Sequence, residues 1–189
     1  MRLETERLVL RSLEAGEAPA LLEFRRRNRA FLAPWEPSRD EAFFELPSCA
    51  ETIALERREL EEGRGLKLHF FEKGGPGPEA GPGSRIAGYA GLSNIVYGPF
   101  LSCFLGYRLD AERLGRGYMA EALRAILELA FAEYGLHRIE ANILPRNAAS
   151  IRVVRALGFE LEGSSPKYLK IDGRWEDHDH YVLRNAALE

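Results

Sequence analysis

The chain has 189 residues, of which 46% are apolar and 29% charged, and its formal net charge is −3. These values predict one globular domain over residues 1–189 that buries a full core. The small net charge argues against nucleic acid as the main partner. No stretch approaches the ~20 consecutive apolar residues of a membrane span.

The cysteines and the N-terminal residues predict a cytoplasmic protein. Cys49 and Cys103 have no paired spacing, cannot form a zinc site alone, and fit a reduced compartment. The N-terminal stretch MRLETERLVLRSL alternates like a strand and lacks the apolar core of a signal peptide.

The first half of the chain predicts two helices and an antiparallel meander. Residues 16–29 predict a helix, and Ser48 followed by Glu51 is a capping-box pattern that predicts a second helix to about Glu62. The predicted strands, recognised by alternating polarity, are 5–13 at the edge of the sheet, 66–72, 85–96 and 100–110. The glycine- and proline-rich segment 73–84 predicts a flexible hairpin tip.

The second half predicts a parallel crossover and a closing hairpin. A helix follows Gly117, and residues 137–144 predict a strand parallel to the one before that helix, because such crossovers are right-handed. The buried stripe expected on the helix is Met119, Leu123, Ile126, Leu127, Ala130 and Phe131. Another helix has Asn147 at its N-cap and Gly158 at C′, and a hairpin turns at residues 172–173. The fold class expected is α/β, with a mixed, mostly antiparallel sheet flanked by helices.

Two glycines open the first of these helices, in the stretch LGRGYMA. Gly115, Gly117 and Ala120 match the loose dinucleotide pattern G-x-G-x-x-G/A, but a meander precedes them and too few residues follow for the remaining βα units. A second interpretation is a helix N-terminus whose free amides hold the pyrophosphate of coenzyme A without a metal, with Arg113 and Arg116 adding positive charge. A glycine turn that only caps an ordinary helix is the third.

Four segments carry a resemblance that covers nearly the whole chain: TERLVLR, LGYRLDAERLGRGYMAEAL, HRIEANILPRNAASIRVVRALGFELEG and IDGRWEDHDHYVL. They resemble the GNAT acetyltransferase superfamily, and more narrowly the RimJ/RimL-type N-terminal acetyltransferases of ribosomal proteins. The stretches APWEP and LSNIVYGPFLSCFLGY are closest to the RimJ branch. The resemblance implies a GNAT fold with splayed strands 4 and 5, and acetyl-CoA as co-substrate.

By this resemblance, the backbone of residues 113–119 cradles the pyrophosphate, and the strand end 107–109 pairs with the pantetheine arm like an extra strand. Asn147 falls on the family's coenzyme-contacting asparagine and would also serve as an N-cap. The family loop usually starts with Gln or Arg, whereas this chain has Glu112, whose side chain we expect to point outward. The coenzyme-binding residues implied are Tyr107, Arg108, Leu109, Arg113, Leu114, Gly115, Arg116, Gly117, Tyr118, Met119 and Asn147.

The implied reaction is direct attack of an amine on acetyl-CoA. Ser150 matches the serine that is thought to protonate the leaving thiolate in RimL-like enzymes. Other GNAT branches use a tyrosine as this acid, and the corresponding position here is Val154. The position used as a base in some relatives holds Asn142. The base candidates are therefore Glu140, on the same strand face, and Glu36, on a loop that helps to wall the acceptor site in this family.

The acceptor implied by the resemblance is the N-terminal α-amine of a protein, most readily a ribosomal protein. A small-molecule amine, such as an amino acid or antibiotic, and a non-catalytic acyl-CoA-binding module are the alternatives. The DHDH stretch at 177–180 resembles a metal cluster, but two histidines are too few ligands, and no metal is expected. No membrane contact or direct nucleic-acid binding is expected. The oligomeric state and any RNA contact by the arginines in 25–29 stay open.

Overall fold

The computed structural model describes residues 1–75, 81 and 83–189, so part of the predicted hairpin tip lies outside the described residues. Over these residues an eight-stranded sheet carries four α-helices. The strands are β1 (Arg2–Glu4), β2 (Leu8–Arg11), β3 (Leu66–Glu72), β4 (Gly88–Val96), β5 (Ser102–Leu109), β6 (Arg138–Ile143), β7 (Glu160–Ile171) and β8 (Arg174–Arg184). The helices are α1 (Ala18–Leu32), α2 (Leu46–Glu61), α3 (Tyr118–Ala132) and α4 (Ala148–Ala156).

The strand order is β1-β2-β3-β4-β5-β6-β8-β7, and every neighbouring pair is antiparallel except β5 with β6. The parallel pair arises from the α3 crossover, as the sequence predicted. This topology confirms the predicted α/β fold class with its mixed, mostly antiparallel sheet.

Apolar residues cover both faces of the sheet because neighbouring residues in a strand point to opposite sides. In β2, Leu8 and Leu10 join a large cluster with α3 and α4, whereas Val9 joins a second cluster with α1 and α2. In β3, Phe70 and Phe71 divide in the same way. Helices α3 and α4 therefore lie on one face, and α1 and α2 lie on the other.

The α1–α2 cluster does not extend across the whole sheet. Among the described residues, its members come from β2, β3, α1, α2 and the adjoining loops, and none belongs to β5, β6, β7 or β8. On those strands the same face carries mostly polar or partly exposed side chains, with the buried Val182 as an apolar exception. We call this region the open face, and its main residues are Phe104, Arg108, Arg138, Glu140, Asn142, His178 and His180.

Strands β5 and β6 pair over only part of their length. In the described chain the parallel register joins Ser102 to Arg138, Cys103 to Ile139 and Phe104 to Glu140. Beyond these pairs β5 continues to Leu109 and β6 to Ile143. The carboxyl ends of the two strands are thus not paired with each other, and we call this unpaired region the opening.

Several local predictions are confirmed. Asn147 caps α4, since its Oδ1 accepts the Ser150 amide at 3.1 Å, and Gly158 takes φ +90° after the helix. The β7–β8 turn has φ +44° at Asp172 and +77° at Gly173, which is the left-handed pair that a two-residue hairpin requires. In the described ranges, no helix is both long and apolar enough to cross a membrane.

Two N-terminal predictions are wrong. The predicted edge strand is interior, because β1 forms the edge and β2 pairs on both sides with all four residues buried. Ser48 is not an N-cap, because α2 begins earlier, at Leu46, with Glu45 at the N-cap position. Pro47 explains the earlier start, since its fixed φ suits the first helical turn.

Candidate active site

The start of α3 presents a row of backbone amides. Gly115 and Gly117 have φ of +73° and +77°, a conformation that turns the chain sharply into the helix. Counting from Leu114 along the described chain, the first backbone amide that donates to a backbone carbonyl is that of Glu121, which bonds to the Gly117 carbonyl at 3.1 Å. The amides from Leu114 to Ala120 therefore remain available, and together with the helix dipole they suit an anionic group.

Open space borders this row of amides. A Cβ atom built on Gly115 would meet no described heavy atom within 4 Å. A Cβ on Gly117 would lie 3.4 Å from Arg7 Nη2. A pyrophosphate could therefore approach the backbone here as closely as the predicted coenzyme site requires.

The charged side chains around the motif are held by Glu72, at the end of β3, which the sequence did not single out. Its carboxylate accepts Arg113 Nε at 2.7 Å and the Tyr118 hydroxyl at 3.0 Å, and it lies 3.6 Å from Arg116 Nη1. Glu112 points away from the amides and pairs with Arg85 at 2.7 Å, in keeping with the outward orientation expected of it. The loop is thus fixed by a carboxylate 40 or more positions earlier.

The end of β5 is joined to the first turn of α4. The Tyr107 hydroxyl donates to the Ser150 carbonyl at 3.2 Å, and the Ser150 amide donates to Asn147 Oδ1. Burial raises the pKa of Tyr107 to about 12, so its phenol stays protonated and can act only as a neutral donor at ordinary pH. Tyr107, Asn147 and Ser150 are therefore brought together at this end of β5.

The loop between α1 and α2 closes the other side of the opening. Glu36 Oε2 lies 3.3 Å from Arg108 Nε on β5, and the Glu36 carbonyl accepts the Asp172 amide at 3.2 Å. Arg146 donates to the Pro34 carbonyl at 2.9 Å and lies over the Trp35 ring at 5.6 Å. Glu36 is a partnered carboxylate in a fixed loop.

Glu140 lies in a separate polar cluster on the open face. Its Oε2 accepts Arg138 Nη2 at 2.9 Å, and its Oε1 lies 3.3 Å from His180 Nδ1. His180 also bonds Asn142 and Ser165, and Tyr168 packs against its ring. The two proposed bases, Glu36 and Glu140, thus have different partners on different strands.

His180, Ser165 and Tyr168 were missed as site residues. The alternation in DHDH correctly placed His178 and His180 on one strand face, but the pattern was considered only as a metal site. Within the described ranges, no three His, Cys, Asp or Glu residues come together as a metal-binding group. Cys103 is buried, and burial raises the pKa of its thiol to about 12, which leaves it unreactive.

Comparisons with known proteins agree with this geometry. Residues 7–160 match the family described as the acetyltransferase (GNAT) domain. The chain is 36% identical over 178 residues to the [Ribosomal protein uS5]-alanine N-acetyltransferase of Escherichia coli (strain K12), a match that covers 94% of this chain and 88% of the relative.

Two solved structures are similar over the full chain. Ribosomal-protein-S5-alanine acetyltransferase from Vibrio fischeri superposes with a TM-score of 0.91 at 32% identity, covering 100% of this chain and 99% of that one. Mycobacterium smegmatis RimJ in complex with CoA-disulfide superposes with a TM-score of 0.87 at 27% identity, covering 99% of this chain and 88% of that one.

The fold and the amide-lined opening define an acyltransferase whose donor is a coenzyme thioester. This chain belongs to the GNAT acetyltransferase family, and it is an N-acetyltransferase that uses acetyl-CoA. The dinucleotide interpretation of the glycine motif is therefore excluded, because the sheet is not the parallel βαβ array that a Rossmann unit requires.

Proposed function

We propose that this enzyme acetylates the N-terminal α-amine of a protein, and specifically of a ribosomal protein. The observation that carries the proposal is the full-length similarity to ribosomal-protein alanine acetyltransferases, at 36% and 32% identity. The width of the open face supports it, because a surface spanning four strands accommodates an extended chain terminus.

On the donor side, the amides of residues 113–119 bind the pyrophosphate, and Glu72 keeps their loop in place through Arg113 and Tyr118. The unpaired edge at Tyr107–Leu109 takes the pantetheine arm as an added strand. Asn147 lies at the edge of this path, where its carboxamide also caps α4. Binding of the pyrophosphate in this way needs no metal ion, since the amides and the helix dipole supply the positive field.

On the acceptor side, an α-amine needs little help from a general base. An α-amine has a pKa near 8, so roughly a tenth is neutral at pH 7, whereas a lysine amine near 10.4 would need far more help. Glu36 forms part of the wall beside β5, and Glu140, whose carboxylate contacts Arg138 and His180, supports the polar cluster of the open face. A backbone amide of β5 stabilises the developing oxyanion, and Ser150 protonates the leaving thiolate.

The test is an acceptor panel with the intact protein. Thiol release from acetyl-CoA would be followed with peptides that begin with Ala, Ser or Thr, with the same peptides blocked at the N-terminus but containing lysine, and with free amino acids. Turnover confined to free N-termini of peptides is the expected result. Turnover confined to free amino acids would replace the proposed acceptor by a small amine, and binding without any turnover would point to a non-catalytic acyl-CoA-binding protein.

A further inference from the structure

Three side chains on the open face form a chain of carboxylate, imidazole and hydroxyl. Glu140 Oε1 lies 3.3 Å from His180 Nδ1, and His180 Nε2 lies 2.7 Å from Ser165 Oγ. Asn142 Oδ1 is also bonded to His180 Nδ1. The three residues come from β6, β8 and β7. Glu140 and Ser165 each reach His180 diagonally, since their register partners are Val182 and His178, and the β7–β8 pairing is bulged here.

The partners fix where the proton of a neutral His180 resides. Carboxylate and amide oxygens only accept, so Nδ1, which faces Glu140 and Asn142, must carry the hydrogen. The Asn142 orientation agrees, because its Nδ2 donates to the Tyr168 hydroxyl at 3.3 Å. Nε2 is then the basic nitrogen, and it accepts the hydroxyl hydrogen of Ser165.

The cluster lies beside the opening between β5 and β6. Their pairing ends at Phe104 and Glu140, and Asn142 lies beyond that point on the unpaired edge of β6. Asn142 is directly opposite His180 in the β6–β8 register. The imidazole is therefore one strand away from the edge where donor and acceptor must meet.

The same cluster is partly shielded from water. The side chains of Glu140 and His180 are each 17% exposed, and the Tyr168 ring stands edge-on to the imidazole at 5.0 Å. Both Glu140 oxygens are occupied, one by Arg138 and one by His180. A carboxylate held in this way is poorly placed to take a substrate proton itself, but well placed to orient an imidazole.

We propose that Ser165 and His180 form the relay that removes the proton from the attacking amine, with Glu140 and Asn142 as positioning residues. The inference rests on the proposed function, for which it supplies the base. As the amine nitrogen bonds to the thioester carbonyl carbon, one of its protons passes to Ser165 Oγ, and the Ser165 proton passes to His180 Nε2. The carbon–sulfur bond breaks with its electron pair on sulfur, and the thiolate takes the hydroxyl proton of Ser150, which is replaced from water. The His180 proton returns to water, so one proton leaves the nitrogen and one reaches the sulfur.

Charged and polar groups surround His180 on three strands. Arg138 and Glu140 face it from β6, Glu162 approaches from β7, and His178 is its neighbour on β8. The relay requires that His180 Nε2 accept the Ser165 hydrogen, so the proposal is tested by replacing these two residues and comparing rates across pH.

The test uses His180→Gln and Ser165→Ala, with His178→Gln as the matched control. His178 lies on the same strand face and packs against the same Tyr168 ring, at 5.4 Å, but its Nδ1 contacts the Glu176 carbonyl. The ratio kcat/KM would be measured with an alanine-initiated peptide from about pH 6 to about pH 9.5, a range that spans the α-amine pKa. Melting curves report whether each variant folds, and Ser165→Ala removes a single oxygen.

We expect His180→Gln to lose about 100-fold at neutral pH and Ser165→Ala about 10-fold, both with unchanged KM for acetyl-CoA. The losses should persist above the α-amine pKa, because a neutral amine must still lose one proton as it bonds to the carbonyl carbon. His178→Gln should keep the wild-type pH profile. Mass spectrometry after incubation with acetyl-CoA should find Ser165 unmodified.

Three results would overturn the relay: a wild-type profile in His180→Gln, equal losses in His180→Gln and His178→Gln at every pH, or an acetyl ester on Ser165. Failure of the proposed acceptor is a separate outcome. If the wild type acetylates free amines but no peptide, the acceptor is wrong and the same variants test the relay on those amines. A wild type that acetylates no amine overturns both.

Discussion

The donor and acceptor sides of the opening are built in different ways. The donor side is largely one continuous stretch, from the end of β5 through the glycine turn into α3, and it offers backbone amides. The acceptor side gathers side chains from the α1–α2 loop, β5, β6, β7 and β8. Backbone chemistry within one stretch can be predicted from sequence, whereas an assembly across strands depends on register.

The two sides also differ in how they handle charge. Both sides pair carboxylates with arginines, as in Glu72–Arg113 and Glu36–Arg108. The donor side in addition leaves the amides of residues 114–120 without partners among the described residues. We therefore expect substitutions on the donor side to alter coenzyme binding or release, and those on the acceptor side to alter the response to the acceptor. Three measurements would sharpen or break this division.

The largest effect is expected from Ser150→Ala. If Ser150 protonates the leaving thiolate, kcat should fall about 100-fold, with KM for acetyl-CoA nearly unchanged. The fold should not respond, because the contacts of Ser150 with Asn147 and Tyr107 use its backbone amide and carbonyl, which alanine keeps. Ser150→Thr, which retains a hydroxyl, should recover part of the rate, and full activity in Ser150→Ala would remove the residue from the mechanism.

Gly115→Ala tests whether the glycine turn binds the coenzyme or merely caps α3. Gly135, after the other end of α3, is a matched control, because both glycines have positive φ, +73° and +61°, and open space at the Cβ position. Both alanine variants should lose about 1–2 kcal/mol of stability through backbone strain. Only Gly115→Ala should also weaken coenzyme A binding, by about 10-fold or more, in calorimetric titrations; equal affinities would favour the capping role.

Glu36→Gln tests the acceptor wall. Removing the charge opposite Arg108 should raise KM for the peptide by about 10-fold and leave coenzyme binding unchanged, since the pair lies on the open face. Glu41→Gln is the control, because Glu41 also lies in the α1–α2 connection and also pairs with an arginine, Arg29 of α1. The side chain of Glu41 is 77% exposed, whereas that of Glu36 is 13% exposed. Similar kinetics in the two variants would mean that Glu36 only holds its loop.

The same division explains what the sequence could and could not predict. The meander, the crossover, the Asn147 cap and the Asp172–Gly173 turn were predictable because each depends on a short local pattern. Strand β1 was missed because three residues are too few for a periodic signal, and the start of α2 was misplaced because Pro47 outweighed the capping pattern at Ser48.

At the site, the amide-lined turn was predictable, but its support by Glu72 was not, since that residue lies on β3. Glu140 and Asn142 were correctly placed on one strand face. Their contacts with His180 depend on the β6–β8 register, and the contact of His180 with Ser165 depends on the bulged β7–β8 pairing; no local pattern encodes either. The DHDH histidines therefore appeared as a weak metal motif instead of part of a polar network.

The smallest effect concerns stability and comes from Glu56 on α2, which packs on the same side of the sheet as the open face. Burial raises the pKa of Glu56 to about 7, and this outweighs the opposing attraction of Lys67. A carboxyl with a raised pKa stabilises the fold while it is protonated in both states, below the unfolded value of 4.5. That stabilisation is lost as pH rises from there to about 7.

Glu56→Gln stays neutral at every pH, so it should match the wild type in acid and become more stable above neutrality. We expect a gain of about 1 kcal/mol, or about 2–4 °C in Tm, in melting curves across this window. Glu51→Gln, on the exposed surface of the same helix, should show no pH-dependent difference. On the opposite face, α3 packs a cluster of apolar side chains against the sheet. A pH-independent gap between Glu56→Gln and the wild type would therefore show that charge burial is not what distinguishes the two sides of the sheet.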